Sequence, residues 1–149
     1  MRFKTHLIIA VAIALALVER VNYKWIFAPI LLISSFLPDI DSSHSFMGHK
    51  WYFRPLQFFV KHRGFLHSFS FCIILSLIFA LFIPILALPF FLGYGSHLLL
   101  DSFSVDGIQP YWPLKTRLQG RLKTGGRIED AIFISFIVID VILFILLFL

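Results

Sequence analysis

The sequence predicts an all-α fold, a polytopic membrane bundle of about five short helices with a polar site at one membrane face. Hydrophobic residues make up 59% of the 149 residues and charged residues only 14%, whereas soluble domains average about 45–50% apolar and 25% charged residues. The apolar residues form long runs that prolines and polar residues separate. A chain of this length predicts one domain, residues 1–149, which is too small to hide so much apolar surface in its own core. Lipid is therefore expected to cover part of it.

The helices follow from four apolar runs, at residues 6–18, 25–37, 65–100 and 131–149. The first two offer about 13 apolar residues each, fewer than the roughly 20 of a full span. They therefore either span a thin part of the membrane or form a re-entrant pair. The third run would make a helix of about 54 Å, longer than a hydrocarbon core of about 30 Å. A hairpin near Pro84–Pro89 divides it, because proline ends one helix and suits the first turn of the next.

The first run has a second interpretation. Its basic start at Met1-Arg-Phe-Lys4 and the sequence Ala14-Leu-Ala16 also fit a cleaved signal peptide. We favour a first membrane helix, because further apolar segments follow at once. The one cysteine, Cys72, lies in an apolar run and excludes an intrachain disulfide.

The basic residues predict the orientation. With five helices, the N-terminus and residues 39–64 and 102–128 lie on one side of the membrane. That side carries eleven of the 13 lysines and arginines, and only Arg20 and Lys24 lie on the other. The positive-inside rule makes the basic side cytoplasmic and places the C-terminus outside. The net charge of +5 is thus explained by topology, and nucleic-acid binding is not indicated.

Histidines and aspartates converge on this basic side. His97 and Asp101 are four residues apart, so they share a helix face about 5–6 Å apart. Asp39 and Asp41 follow a proline, where a turn can direct either carboxylate inward. The candidate metal ligands are His6, Asp39, Asp41, His62, His67, His97 and Asp101. Imidazole and carboxylate suit Zn²⁺, with Mn²⁺ or Fe²⁺ as alternatives, and seven ligands exceed one tetrahedral ion, so two ions are predicted.

Each candidate alone also has a plainer interpretation. His97 and Asp101 could form a helix-end hydrogen bond, His6 could be an interfacial residue, and the two aspartates could be turn formers. The convergence of all these groups on one face favours a metal site. His44 and His49 are interpreted as solvated loop residues. Asp140, in mid-membrane, is expected to make an interhelical hydrogen bond.

Four segments resemble the YdjM-like family of membrane-bound metal-dependent hydrolases. They are Thr5-His6, Leu37-Pro-Asp-Ile-Asp41, His62-Arg-Gly-Phe-Leu-His-Ser68 and Gly93-Tyr-Gly-Ser-His-Leu-Leu-Leu-Asp101, and Gly107-Ile-Gln-Pro-Tyr-Trp-Pro113 is also similar. The resemblance implies a protein of the inner membrane and a distant relation to the zinc phospholipase C and single-strand nuclease superfamily. It assigns the same seven residues to a zinc cluster. The family description also includes binding to the LexA repressor, which nothing in this sequence supports.

The predicted function is metal-assisted hydrolysis of a phosphodiester or phosphomonoester. Water activated by the metal is the expected nucleophile, with Asp39 or Asp41 as an alternative general base. Arg63 lies between two proposed ligands and either grips a phosphate or anchors the chain at the interface. A site at headgroup depth makes membrane lipid the neighbour, and a small phosphate ester, a phospholipid or a lipid-linked phosphate the expected substrate. The sequence does not predict an oligomeric state.

Other functions remain open at this point. A metal transporter or sensor is one, although transport sites usually lie near the bilayer midplane and these ligands lie at helix ends. A non-catalytic membrane partner protein, acting through the basic loop at residues 115–127, is another, although that loop is also suited to anionic lipid. An intramembrane metalloprotease is disfavoured, since the sequence has no HExxH motif.

Overall fold

The computed structural model describes residues 1–41, 51, 54 and 64–149. Within these residues the chain forms five α-helices and no strand, only two isolated β-bridges, so the all-α prediction is confirmed. The helices are α1 (Phe3–Leu17), α2 (Lys24–Ser34), α3 (Phe69–Phe82), α4 (Pro84–Ser102) and α5 (Arg127–Phe148). Short 3₁₀ turns follow α1 at Val18–Arg20 and α2 at Leu37–Asp41.

The helices run alternately up and down, and their site-facing ends meet at one end of the bundle. Asp41, which follows α2, contacts His67, which precedes α3. His6, near the start of α1, contacts Asp101, near the end of α4. The backbone N–H of Arg2 donates to Glu129 in the first turn of α5. Five elements that are distant in sequence thus deliver their polar residues to the same place.

The third helix starts later than the apolar run that predicted it. Ser68 is its N-cap, and the Ser68 hydroxyl accepts a hydrogen bond from the backbone N–H of Phe71 at 3.2 Å. The backbone N–H groups of Phe69 and Ser70 donate to the carbonyl of Pro110. Since these contacts satisfy the free N–H groups of a helix start, His67 lies just before α3 and not inside it, which corrects the sequence prediction.

The predicted hairpin lies at Ile83. The helix α3 ends there, and Pro84 opens α4 at its first position, where its missing N–H costs nothing. Pro89, by contrast, lies inside α4 and is buried. The break is therefore confined to one residue, and α4 runs on for 19 residues to the site.

The helices α2 and α4 approach each other closely. A Cβ atom built on Gly93 would lie 2.2 Å from the carbonyl oxygen of Leu31 and 3.0 Å from Cβ of Ser34. Glycine at this position lets the two backbones approach, as small residues do between membrane helices. Phe90, Tyr94 and Leu98 of α4 also pack with Cys72 of α3.

Within the described part of the chain, two helices are long and apolar enough to cross a membrane, α4 and residues Arg127–Leu147 of α5. The outer face of α5 is exposed, and only 6% of its apolar window is buried. The first three helices are shorter, at 15, 11 and 14 residues. The prediction that the first two runs are too short for a full span is therefore consistent with the helices observed.

We predict that Gly93→Ala destabilises the protein by about 1–3 kcal/mol, the usual cost of overpacking. The new methyl group must displace the backbone of Leu31, which cannot move as a flexible side chain can. The measurement is the thermal unfolding midpoint in detergent. The matched control is Gly95→Ala, two residues away, where the added Cβ meets only Cys72 Sγ at 4.0 Å. Equal midpoints for the two variants would contradict the close packing of α2 on α4.

Candidate metal centre

The structure brings six of the seven predicted ligands together at one end of the bundle. These are His6, Asp39, Asp41, His67, His97 and Asp101. His62, predicted as a ligand, and Arg63, predicted to contact phosphate, lie outside the described residues, as do His44 and His49. Each of the six comes from a helix end or an adjoining turn, so the site depends on the whole bundle.

The first group of ligand atoms consists of His6, His97 and Asp101, all three buried. The Nε2 atom of His6 lies 3.3 Å from Asp101 Oδ1, and the Nε2 atom of His97 lies 3.7 Å from Asp101 Oδ2. The two imidazole rings stack with their centroids 3.9 Å apart. The spacing of four residues between His97 and Asp101 therefore gives the shared face that the sequence predicted.

The second group is Asp39, His67 and His97, so His97 belongs to both groups. Its Nε2 atom lies 3.7 Å from Asp39 Oδ1. The Nε2 atom of His67 lies 3.8 Å from Asp101 Oδ2, which joins the second group to the first. Two overlapping ligand groups around one shared imidazole form a continuous cluster.

Hydrogen bonds at the other ring nitrogens orient both central histidines. The Nδ1–H of His97 donates to the carbonyl of Ser35 at 2.7 Å. The Nδ1–H of His67 donates to Asp41 Oδ2 at 3.0 Å. These contacts place the lone pair of each ring on Nε2, which is the arrangement that metal-bound histidines usually have. Asp41 is in neither ligand group, and its direct role as a ligand stays a prediction.

The donor set fits a divalent cation. Two ligands at about 2.1 Å from one tetrahedral ion stand about 3.4 Å apart, close to the 3.3–3.8 Å separations observed here. The buried Nε2 of His97 has no hydrogen-bond partner among the described residues. Buried polar atoms normally have partners, and buried charges are paired or bind metal. Imidazole nitrogen and carboxylate oxygen suit Zn²⁺, Mn²⁺ and Fe²⁺.

The N-terminal ammonium group also reaches this cluster. The nitrogen of Met1 lies 2.6 Å from Asp101 Oδ1, and both groups are buried. This contact compensates part of the negative charge of the carboxylates. It also holds the start of α1 against the end of α4.

Asp39 is where the cluster opens to solvent. Its side chain is 21% exposed, whereas those of Asp41 and Asp101 are exposed by 4% or less. Burial nevertheless raises the pKa of the Asp39 carboxyl above its ordinary value, and the nearby His6 and His67 oppose this shift. Asp39 is therefore the carboxylate that an incoming molecule meets first.

A polar contact that fixes α1 to α5 was not predicted from the sequence. The buried carboxylate of Glu129 accepts hydrogen bonds from the Arg2 and Gly125 backbone N–H groups and from the Thr5 hydroxyl. Asp130 pairs with the Arg2 side chain. The one sequence signal for this contact was the position of Glu129 and Asp130 in the first turn of α5, where acidic residues are favoured. Thr5 precedes His6, so this contact also fixes the position of His6.

The hydrogen bond expected for Asp140 is not found among the described residues. Its carboxylate is buried, and neither oxygen has a hydrogen-bond partner there. The helix α5 packs on α1, which from Leu7 to Leu17 is apolar and offers no side-chain partner. Asp140 does not belong to either ligand group.

Comparison with known proteins agrees with the resemblance of the motifs. The family model of the YdjM inner membrane protein matches residues 1–149. Inner membrane protein YdjM of Escherichia coli (strain K12) is 36% identical over 104 residues, which are 64% of this chain and 53% of the relative, and the Shigella flexneri protein gives the same values. The chain thus spans about half the length of these two relatives.

A third relative is covered more fully. Protein YvsG of Bacillus subtilis (strain 168) is 30% identical over 140 residues, which are 87% of this chain and 85% of the relative. No solved structure matches the chain. The family match over the whole chain, together with the apolar helices α4 and α5, makes this a membrane protein, and the chain belongs to the YdjM inner membrane protein family.

Proposed function

We propose that this protein is a membrane-bound metal-dependent hydrolase that cleaves a phosphate ester at the cytoplasmic face. The observation that carries the proposal is the buried pair of ligand groups around His97, with its Nε2 atom directed at Asp39 and Asp101. A cluster of this kind is costly to bury and is typical of a functional site. We propose Zn²⁺ as the ion, and candidate ligands that exceed the four of one tetrahedral ion favour two ions.

The chemistry that such an ion supplies is the acidification of water, whose pKa falls from about 15.7 to about 7, so that a nucleophile exists at neutral pH. His97 would bind a single ion, through Nε2, because its Nδ1 is engaged by the Ser35 carbonyl. Either His6 and Asp101 or Asp39 and His67 would complete that site, and the other pair would hold the second ion. Asp39 is the proposed general base, since it is the most exposed of the three carboxylates.

Two contacts act on position and not on the substrate. Asp41 holds the ring of His67 and the Ser35 carbonyl holds the ring of His97, so each Nε2 atom keeps its direction. Such partners of metal-bound histidines typically contribute 10–100-fold to metal affinity. Arg63 stays a predicted phosphate contact, and its position lies outside the described residues.

The proposed setting is a multi-pass protein of the inner membrane with the site on the cytoplasmic side. The alternation of the five helices supports several crossings, and eleven of the 13 lysines and arginines lie in the segments that the sequence predicts on the cytoplasmic side. A site at a helix end stands at the depth of lipid headgroups, which favours a phospholipid or a lipid-linked phosphate as substrate. The same position disfavours transport, whose sites usually lie near the midplane.

We expect the purified protein to hold near-stoichiometric metal and the double variant His97→Ala/Asp101→Ala to lose it. The double change removes ligands from both groups, including the imidazole that they share. The measurement is elemental mass spectrometry after resupply of Zn²⁺. The control is Glu19→Ala, an exposed acid paired with Lys24 at the other end of the bundle. Equal metal in both variants, or none in the wild type, would refute the metal centre.

We expect Asp39→Asn to lower the turnover of a phosphate ester by about 10²–10⁴-fold, the usual contribution of a general base. Its amide keeps the size of the side chain and an oxygen for the metal, so the metal content should fall much less. Asp41→Ala is the matched comparison. It should weaken metal binding about 10–100-fold because the His67 ring loses its acceptor. Unchanged turnover in Asp39→Asn would exclude this residue as the base.

The orientation can be tested with single cysteines in a Cys72→Ser background. Arg117 and Asn22 are both exposed and lie near opposite ends of the bundle. In intact cells, a membrane-impermeant maleimide should label Asn22→Cys, and it should label Arg117→Cys only after permeabilisation. The reverse pattern would place the site on the outer face.

A further inference from the structure

We propose that the substrate of this site is a lipid phosphate whose hydrocarbon chain lies in an apolar groove between α1, α3 and α4. This inference rests on the proposed hydrolase function and names its substrate class. The groove has a volume of about 300 Å³ and is lined by side chains such as Ile13, Phe69, Leu92 and Leu99. Its one hydroxyl group, on Ser96, donates to the carbonyl of Gly93, so it is already satisfied.

The groove begins level with the metal centre and descends along the bundle. It follows α4 from Leu99 to Phe91, a distance of about 12 Å at 1.5 Å per residue. Ser96, on its wall, is adjacent to His97, and Phe69 lies two residues after His67. The three helices that line it are those that carry or adjoin His6, His67 and His97. A molecule with its headgroup at the cluster would therefore have its chain along this groove.

The groove is accessible from the bilayer. The rim is open, since Leu99 is 52% exposed and Phe91 is 43% exposed, so a lipid can enter sideways from the bilayer.

The charge at the upper end is complementary to a phosphate headgroup. The loop that follows α4 carries the exposed residues Lys115, Arg117, Arg121 and Lys123. Basic residues at this depth attract anionic lipid. An apolar groove below a metal centre and a basic loop matches a molecule with a long chain and an anionic phosphate. Neutral lipid lacks the headgroup, and a soluble phosphate ester lacks the chain.

Gly95 allows a direct test, because it lies in the groove wall and there is space beside it for a side chain. A Cβ atom built on it meets only Cys72 Sγ at 4.0 Å. Gly95→Leu should therefore fill the groove with little strain in the bundle. Ala131→Leu adds a side chain of the same size on the exposed face of α5 and is the matched control. Leu99→Trp narrows the groove from its rim and is a second, independent variant.

The probe is phosphatidic acid with a diazirine in its acyl chain, applied to the full chain in detergent. We expect saturable labelling of the peptide that contains Leu92 and Leu99, with competition by phosphatidic acid and not by glycerol 3-phosphate. Both Gly95→Leu and Leu99→Trp should reduce labelling roughly tenfold, since each would displace buried CH₂ groups of the acyl chain, and the loss of about two of them accounts for a factor of this size. They should keep their metal, and Ala131→Leu should label like the wild type.

The outcomes separate this inference from the proposed function. Labelling that is not saturable, or that survives in both groove variants, overturns the groove as a lipid site. Hydrolysis of glycerol 3-phosphate as efficiently as phosphatidic acid does so too, while it supports a hydrolase. Saturable groove labelling without hydrolysis of any phosphate ester overturns the proposed function and supports lipid binding in the groove.

Discussion

The hydrogen bond from His97 Nδ1 to the Ser35 carbonyl is the contact on which the geometry of the site depends. It joins the end of α2 to α4, and it is possible because Gly93, one turn below His97, lets the two backbones approach. Because Nδ1 carries the proton that it donates to this carbonyl, the lone pair available to a metal is on Nε2, which points at Asp39 and Asp101. The same hydrogen bond therefore holds α4 against α2 and sets the direction of the candidate ligand atom.

The electrostatics of the cluster explain why so many elements contribute to it. A buried carboxylate such as Asp101 costs several kcal/mol unless opposite charge or hydrogen bonds compensate it. Here three imidazoles and the Met1 ammonium surround that carboxylate. They arrive from the start of α1, from the residue before α3 and from α4 itself, so the polar cluster stabilises only the arrangement in which these helices meet correctly. Glu129 acts in the same way between α1 and α5.

The helices and the convergence of the ligands could be predicted because both follow from local signals. Apolar runs, prolines and basic residues define the helix order, and spacing along one helix places His97 beside Asp101. What could not be predicted depends on contacts between helices. Nothing local distinguishes Asp41, which holds the His67 ring, from Asp39, which belongs to a ligand group. Nor does the sequence mark the Ser35 carbonyl, since every residue has one. The start of α3 was placed too early because an apolar run does not reveal that Ser68 is an N-cap.

The position of the cluster limits what it can act on. In the proposed topology, the candidate metal centre at the helix ends would lie where the bilayer changes from hydrocarbon to headgroups, with Asp39 as its exposed edge. A transported ion would need a path past this point through the bundle, yet below the cluster α2 and α4 are in direct backbone contact at Gly93 and Leu31. That contact leaves no passage between α2 and α4 at this level. The groove beside α4, by contrast, lies on the outside of the bundle and is apolar along its length. A molecule that stays in the membrane and presents an anionic group at its surface satisfies both features, which is why a lipid phosphate fits this architecture better than an ion in transit.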